Sequence, residues 1–238
     1  MATPPPDASI DTTAGLAYWN GIPASEDGML GGVPSLPGFS LLSKVDLQGS
    51  RAFLAKLGFS ARPTPGSGTR RAAACLEGGA GIGRITRGLL VDVADAVDVV
   101  EPVAKFTAGL EGVARRVWNC GLEGWRPEEG GEGYDVVWTQ WCVGHLTDRE
   151  LVGYLERCRG ALREGGVVVV KENLSTSGRD EFDEEDSSVT RTDEKFKILF
   201  EEAGLRIVRQ EIQKGFPVTA STSLLPVKMY GLKPKTGK

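Results

Sequence analysis

Three stretches of this chain carry residue types and spacings that can do chemistry. The first reads Cys75-Leu76-Glu77-Gly78-Gly79-Ala80-Gly81-Ile82-Gly83-Arg84. Glycines spaced like this let a ligand approach the backbone, and a helix beginning just after them turns its N–H groups toward negative charge. The pattern is GxGxG, with Arg84 where a dinucleotide GxGxxG would place its last glycine, and no GK[ST] follows to make a P-loop. Glu101, eighteen residues beyond Gly83, closes the next apolar run, where a carboxylate can accept from ribose hydroxyls. The second stretch holds His145, the one histidine of the chain, whose ordinary pKa near 6.5 suits a proton acceptor. The third places six carboxylates in seven positions, Asp180, Glu181, Asp183, Glu184, Glu185 and Asp186. Such a run is either a solvated, self-repelling loop or, beside a cationic ligand, a lip that steers and holds it.

The elements that must position these residues can be read from periodicity. The chain has 238 residues, 40% of them hydrophobic and 25% charged, enough for one domain with an extension. Residues 1–14 are polar and proline-rich and are expected to be disordered; 15–62 read as an N-terminal extension, irregular but packed at first, with a helix in VDLQGSRAFLAKLGF. From 63 to 238 strands alternate with helices, which predicts a doubly wound, mostly parallel α/β sheet of seven strands. AAACLEGG, AVDVVE, RRVWNC, YDVVWTQ, VVVVK, RIVRQEI and PVKMYGL are the strand candidates. TDRELVGYLERCRGAL is the clearest helix, opened by a capping box of Thr147 and Glu150. The net charge of −4 argues against a nucleic-acid partner, and one histidine with scattered thiols leaves no zinc site. Four cysteines without CxxC spacing point to reduced thiols and an intracellular setting, and no apolar run suggests a membrane span or signal peptide.

An acid closing the first strand, GxGxG, and an acid closing the second together resemble a class I S-adenosylmethionine-dependent methyltransferase. More specific motifs lie outside that general pattern: YWNGIP, DGMLGG, GAGIGRIT, the Gln140-Trp141 pair, GHLTD, KEN and DSSV. From about Tyr18 to Leu232 the chain resembles the protein alpha-N-terminal methyltransferase family. The resemblance implies methyl transfer from S-adenosylmethionine to the free α-amine of proteins beginning Xaa-Pro-Lys/Arg after removal of the initiator Met, ribosomal proteins among them. It also implies cofactor contacts from Gly79, Gly81, Arg84, Glu101, Gly121, Leu122 and Gln140, with Glu77 or its neighbourhood meeting the ammonium. The 15–62 extension would cover the site; Leu30 and Gly31 would border the substrate channel, Trp141 would pack on the proline, and Asn173 would hold the first residue. His145 and Asp186 would handle the amine proton, and Asp183, Asp186 and Ser188 would surround the basic third residue. A monomer, resident in cytoplasm or nucleus, is the accompanying expectation.

Elementary acid–base chemistry agrees with an α-amine acceptor. Its pKa near 7.7–8.0 leaves roughly a tenth neutral at pH 7, whereas a lysine amine is neutral about once in two thousand. An imidazole and a carboxylate therefore suffice for deprotonation. Two readings stay open beside this one: a methyltransferase for a small-molecule amine, and an inactive cofactor-binding partner protein.

Overall fold

A computed structural model describes residues 4–219 and 224–235. Its centre is a seven-stranded sheet in the order β3-β2-β1-β4-β5-β9-β8. These strands are β1 (Ala72–Gly78), β2 (Ala94–Val100), β3 (Arg116–Trp118), β4 (Tyr134–Gln140), β5 (Leu162–Asn173), β8 (Leu205–Ile212) and β9 (Val227–Pro234). All neighbours pair in parallel except β9, which runs antiparallel to both β5 and β8. The doubly wound expectation is met.

The apolar runs explain why these strands lie inside. Their side chains alternate between two faces, so Val168 and Val170 join one core while Val167 and Val169 join the other. On the first face pack α6 (Asp148–Gly160) and α7 (Asp193–Glu202), through Leu151, Leu155, Phe196 and Phe200. On the second lie α3 (Leu42–Lys56), a π-helical turn at Thr86–Leu90 and α4 (Val91–Val93), through Phe53, Leu54, Leu89 and Val93. A further turn of helix, α5 (Ala104–Thr107), follows β2. Burying each valine or leucine contributes about 1.5–3 kcal/mol, which is why β4 and β5 tolerate so few polar positions.

The capping box is formed as read: Glu150 N–H donates to Thr147 Oγ1 at 3.3 Å, and Thr147 N–H to Glu150 Oε2 at 2.9 Å. It fixes where α6 starts, just after His145. The acidic run is a hairpin of β6 (Glu181–Asp183) and β7 (Ser188–Thr190), pairing Asp183 with Ser188.

The N-terminal segment departs from the expectation of disorder. Residues 1–3 lie outside the described residues, but Pro6–Ser9 forms a 3-10 turn and α1 (Thr12–Gly21) follows. Composition misleads here because the order comes from tertiary contacts. Asp11 caps α1 by accepting from the N–H groups of Thr13 and Ala14, while its own N–H donates to Ser187 Oγ at 2.8 Å. Asp7 accepts from Asp148 N–H at 2.9 Å, and Lys105 Nζ donates to the carbonyls of Asn20 and Ile22. A glycine permits the close approach: a Cβ on Gly15 would stand 3.2 Å from the Asp186 carbonyl. The short α2 (Glu26–Met29) completes the cover.

Candidate active site

The carboxyl ends of β1, β2, β4 and β5 meet under this cover, where open α/β sheets bind ligands. Two adjoining cavities lie there. The first is lined by Gly79, Ala80, Gly81, Arg84, Glu101, Gly121, Leu122 and Gln140 from the sheet side, and by Asp11, Trp19 and Met29 from the extension. The second is lined by Glu172, Asn173, Asp186, Ser188 and Val189. Trp19, Trp141, Cys142 and His145 border both, so they form the shared wall.

The glycine turn is built for backbone approach. Gly79 and Gly81 have φ of +71° and +53°, and a Cβ on Gly79 would sit 2.4 Å from Cys142 Sγ. Glu101 holds the turn from the next strand: its Oε2 accepts from Gly81 N–H at 2.8 Å and its Oε1 from Val103 N–H at 2.9 Å. Burial raises its pKa, while the two backbone bonds oppose that rise. Each oxygen keeps a lone pair for a ligand hydroxyl. Replacing Glu101 by Ala is expected to weaken nucleoside binding by about 1.5–3 kcal/mol, the range for a hydrogen bond to a charged group. Isothermal calorimetry measures this directly, and an unchanged affinity would remove the ribose assignment.

Glu77 corrects one expectation. It does not line the cavity; it is buried behind the turn, where it accepts from the Thr86 hydroxyl, and burial pushes its carboxyl up to about 8. Arg84 does line the cavity, but its Nη1 pairs with Asp46 at 2.8 Å, a carboxylate from α3. Gln140 lies at the cavity too, with its amide nitrogen donating to Asp46 and its oxygen accepting from the Trp138 indole at 3.2 Å. Trp138 itself is core, as its strand position predicts.

Trp141 follows β4 with φ of +53°, a conformation that costs a bulky residue about 1–3 kcal/mol and is held only by its surroundings. Here the turn is held on both sides: Trp141 N–H donates to the Lys171 carbonyl, and Glu172 accepts from the N–H groups of Cys142 and Val143 at 2.8 and 3.1 Å. Glu172 is buried, and that burial raises its pKa to about 7. The Arg84 guanidinium carbon lies 5.4 Å from the Trp141 ring centre.

His145 ends a 3-10 turn, Val143–His145, between β4 and α6. The Trp19 indole donates to its Nε2 at 2.9 Å. An indole N–H can only donate, so Nε2 carries the lone pair and the ring proton sits on Nδ1. Burial lowers the pKa, with the Asp186 carboxylate opposing; Nε2 and Asp186 Oδ2 are 3.9 Å apart. Among the described residues, Asp186 Oδ1, the Trp141 indole N–H and His145 Nδ1 are buried without hydrogen-bond partners.

The geometry thus brings together Gly79, Gly81, Arg84, Glu101, Gly121, Leu122 and Gln140 at one cavity, and Asn173, Asp186 and Ser188 at the other, with Trp141 and His145 between. Three expected residues stand apart. Asp183 is exposed and turned to its own hairpin, accepting from Glu185 N–H at 2.8 Å. Leu30 is buried in the cover and Gly31 is exposed; Met29, one position earlier, lines the first cavity instead. The residues that sequence reading missed are Trp19, Met29, Ser187 and Asp46. For Asp46 a signal existed: Ser43, Asp46 and Ser50 interrupt the buried stripe of α3 at helical spacing, marking a polar seam inside an apolar face.

Comparison with known proteins meets this geometry. A family model described as AdoMet-dependent proline di-methyltransferase matches residues 7–233. An alpha N-terminal protein methyltransferase 1 from Schizosaccharomyces pombe is 42% identical over 223 residues, covering 92% of this chain and 94% of that protein. An N-terminal Xaa-Pro-Lys N-methyltransferase 1 from Mus musculus is 40% identical over 207 residues, covering 84% and 86%. Among solved structures, a SAM-dependent methyltransferase from Leishmania major superposes with a TM-score of 0.79 at 34% identity, covering 93% of this chain and 82% of that one. The glycine cradle, the Glu101 acceptor and the Arg84 cation suit the nucleoside and charged amino-acid end of S-adenosylmethionine. With cradle and acceptor chemistry in agreement with matches across nearly its whole length, the chain belongs to the S-adenosylmethionine-dependent alpha-N-terminal protein methyltransferase family.

Proposed function

We propose that this protein transfers methyl groups from S-adenosylmethionine to the free α-amine of protein N-termini beginning Xaa-Pro-Lys or Xaa-Pro-Arg. The observation that carries the reading is the wall shared by the two cavities, where Trp19, Trp141, Cys142 and His145 face both. When bound, the cofactor supplies an electrophilic methyl on a sulfonium; the chain's own residues must present a neutral amine to it. Gly79, Gly81, Glu101, Leu122 and Gln140 form the binding side, and Gly121 continues it.

On the other side, Asp186 attracts the ammonium form and so favours capture, which by itself raises the amine pKa. His145, kept neutral by burial, offers its Nε2 lone pair to take the proton once the Trp19 indole gives up that bond. Asn173 supplies an amide to orient the first residue, and the Trp141 face suits a proline ring by shape and C–H contact. Asp186 and Ser188 border the channel for a basic third residue, with Asp183 outside it as part of the longer-range field. The same proposal takes ribosomal proteins as carriers of such termini, a monomer as the acting species, and cytoplasm or nucleus as the setting.

Incubating an Xaa-Pro-Lys peptide with the protein and S-adenosylmethionine is expected to give mass increments of methyl groups on the N-terminal residue, and none on the Nα-acetylated peptide. Replacing the third-position Lys by Gln should lower kcat/KM by about fivefold at low salt, the equivalent of about 1 kcal/mol for a partly exposed charge contact. At high salt the gap should close. Equal rates for the two peptides at low salt would make the acidic hairpin a solubilising feature only.

A further inference from the structure

Beneath the wall of the first cavity lies a buried ionic pair, Asp46 and Lys171, that the reaction described above does not use. Asp46, on α3 of the extension, has no exposed side-chain surface. Its carboxylate forms ion pairs with Lys171 Nζ at 2.5 Å and Arg84 Nη1 at 2.8 Å and accepts from Gln140 Nε2 at 3.0 Å, while Arg84 Nη1 donates to Ser43 Oγ at 3.4 Å. Lys171, on β5 and equally buried, also donates to Ser50 Oγ at 2.9 Å and Gln213 Oε1 at 2.8 Å. Three segments far apart in the chain, carrying Arg84, Gln140 and Lys171, converge on this one carboxylate of α3.

The charges do not balance. Two cations share one anion, and an uncompensated buried charge costs several kcal/mol. Lys171 and Asp46 are sealed off from the cavity, whereas Arg84 lines it. Arg84 Nε and Nη2 have no protein partner among the described residues. The excess positive charge is therefore presented at the cavity wall, where it fits the carboxylate of an amino-acid end.

We propose that Asp46 is a positioning residue for that end of the cofactor. It fixes Arg84 and Gln140 at the wall, while Lys171 neutralises it so that Arg84 keeps its charge for an incoming carboxylate. The proposal rests on the first cavity being the cofactor's. It makes docking of α3 and binding of the cofactor's charged end thermodynamically linked.

The test compares two ligands of the full chain by calorimetry: S-adenosylhomocysteine, and 5′-methylthioadenosine, the same nucleoside thioether without the amino-acid end. Asp46→Asn and Lys171→Met should each lower S-adenosylhomocysteine affinity by about tenfold or more, with 5′-methylthioadenosine changed by less than about twofold. The double variant Asp46→Asn/Lys171→Met restores the net charge and should bind S-adenosylhomocysteine more tightly than either single variant. If Asp46→Asn does not fold, Lys171→Met and the double variant carry the same comparison. Equal losses for both ligands would make Asp46 a folding residue and overturn the proposal. A selective loss in Arg84→Ala but not in Asp46→Asn would overturn the role of Asp46 and leave that of Arg84 standing. No selective loss in Arg84→Ala would overturn the placement of the cofactor's charged end, and the proposal with it.

Discussion

His145→Ala is expected to slow the methyl-transfer step by about 10²–10⁴-fold at pH 7, the usual effect of losing a general base. The loss should shrink as pH rises. A free α-amine titrates near 7.7–8.0, so between pH 7 and pH 9 its neutral fraction grows from roughly a tenth to nine-tenths, and the variant can recover about tenfold without any base. Asp186→Asn should behave otherwise. It keeps the shape but removes the charge proposed to capture the ammonium, so it should raise KM as well as lower kcat, and alkali should restore it less. Single-turnover rates of both variants from acid to alkaline pH decide between these roles. Recovery of Asp186→Asn by alkali, with none for His145→Ala, would exchange them. The hydrogen bond from Trp19 sharpens the expectation: it keeps Nε2 unprotonated in the resting site, and it has to break before that nitrogen can accept.

The second large effect concerns stability. Arg191→Met is expected to destabilise the fold by about 2–6 kcal/mol, because it strips two buried carbonyls of their donors at about 1–3 kcal/mol each. Arg191 is a fully buried cation whose Nη1 donates to the Val143 carbonyl at 3.0 Å and whose Nη2 donates to that of Leu146. Those two carbonyls bracket His145, so the turn that aims the imidazole should loosen together with the fold. Arg191 Nε is clamped by Asp148 Oδ1 at 2.9 Å, but Asp148→Asn should cost less: that carboxylate is 23% exposed, and water can replace part of what it loses. Urea unfolding of both variants gives the comparison. An Arg191→Met midpoint equal to the parent's would show that the clamp contributes nothing.

What could be read from the sequence followed the range of each interaction. The strands declared themselves because valines filling both faces can only lie inside a sheet, and α6 because Thr147 and Glu150 satisfy each other locally. The glycine turn and Glu101 were legible for the same reason: their spacing along the chain is their spacing across two neighbouring strands. The cover was not. Trp19 meets His145 across 126 positions, and nothing local in GLAYWNGIP distinguishes a helix over the site from an irregular segment. Asp183 lies outside both cavities for a different cause. In a run of carboxylates, which side chain turns inward depends on hairpin register, and the pairing of Asp183 with Ser188 turned Phe182 rather than Asp183 toward the body of the protein.

The antiparallel strand has a consequence for how the chain is made. β5, which ends in Lys171, Glu172 and Asn173, has β4 on one flank and β9 on the other. Translation delivers β8 before β9, yet β9 occupies the inner place and β8 the rim. Until residues 227–234 emerge, the acceptor side of the site rests on a strand with one bare, apolar edge, the kind of surface that chaperones shield and that pairs wrongly with other chains. The strands that carry the glycine turn, Glu101 and Gln140 are made before β9. The side proposed for the protein substrate has to wait for β9, made after the rim strand, to slide in beside β5.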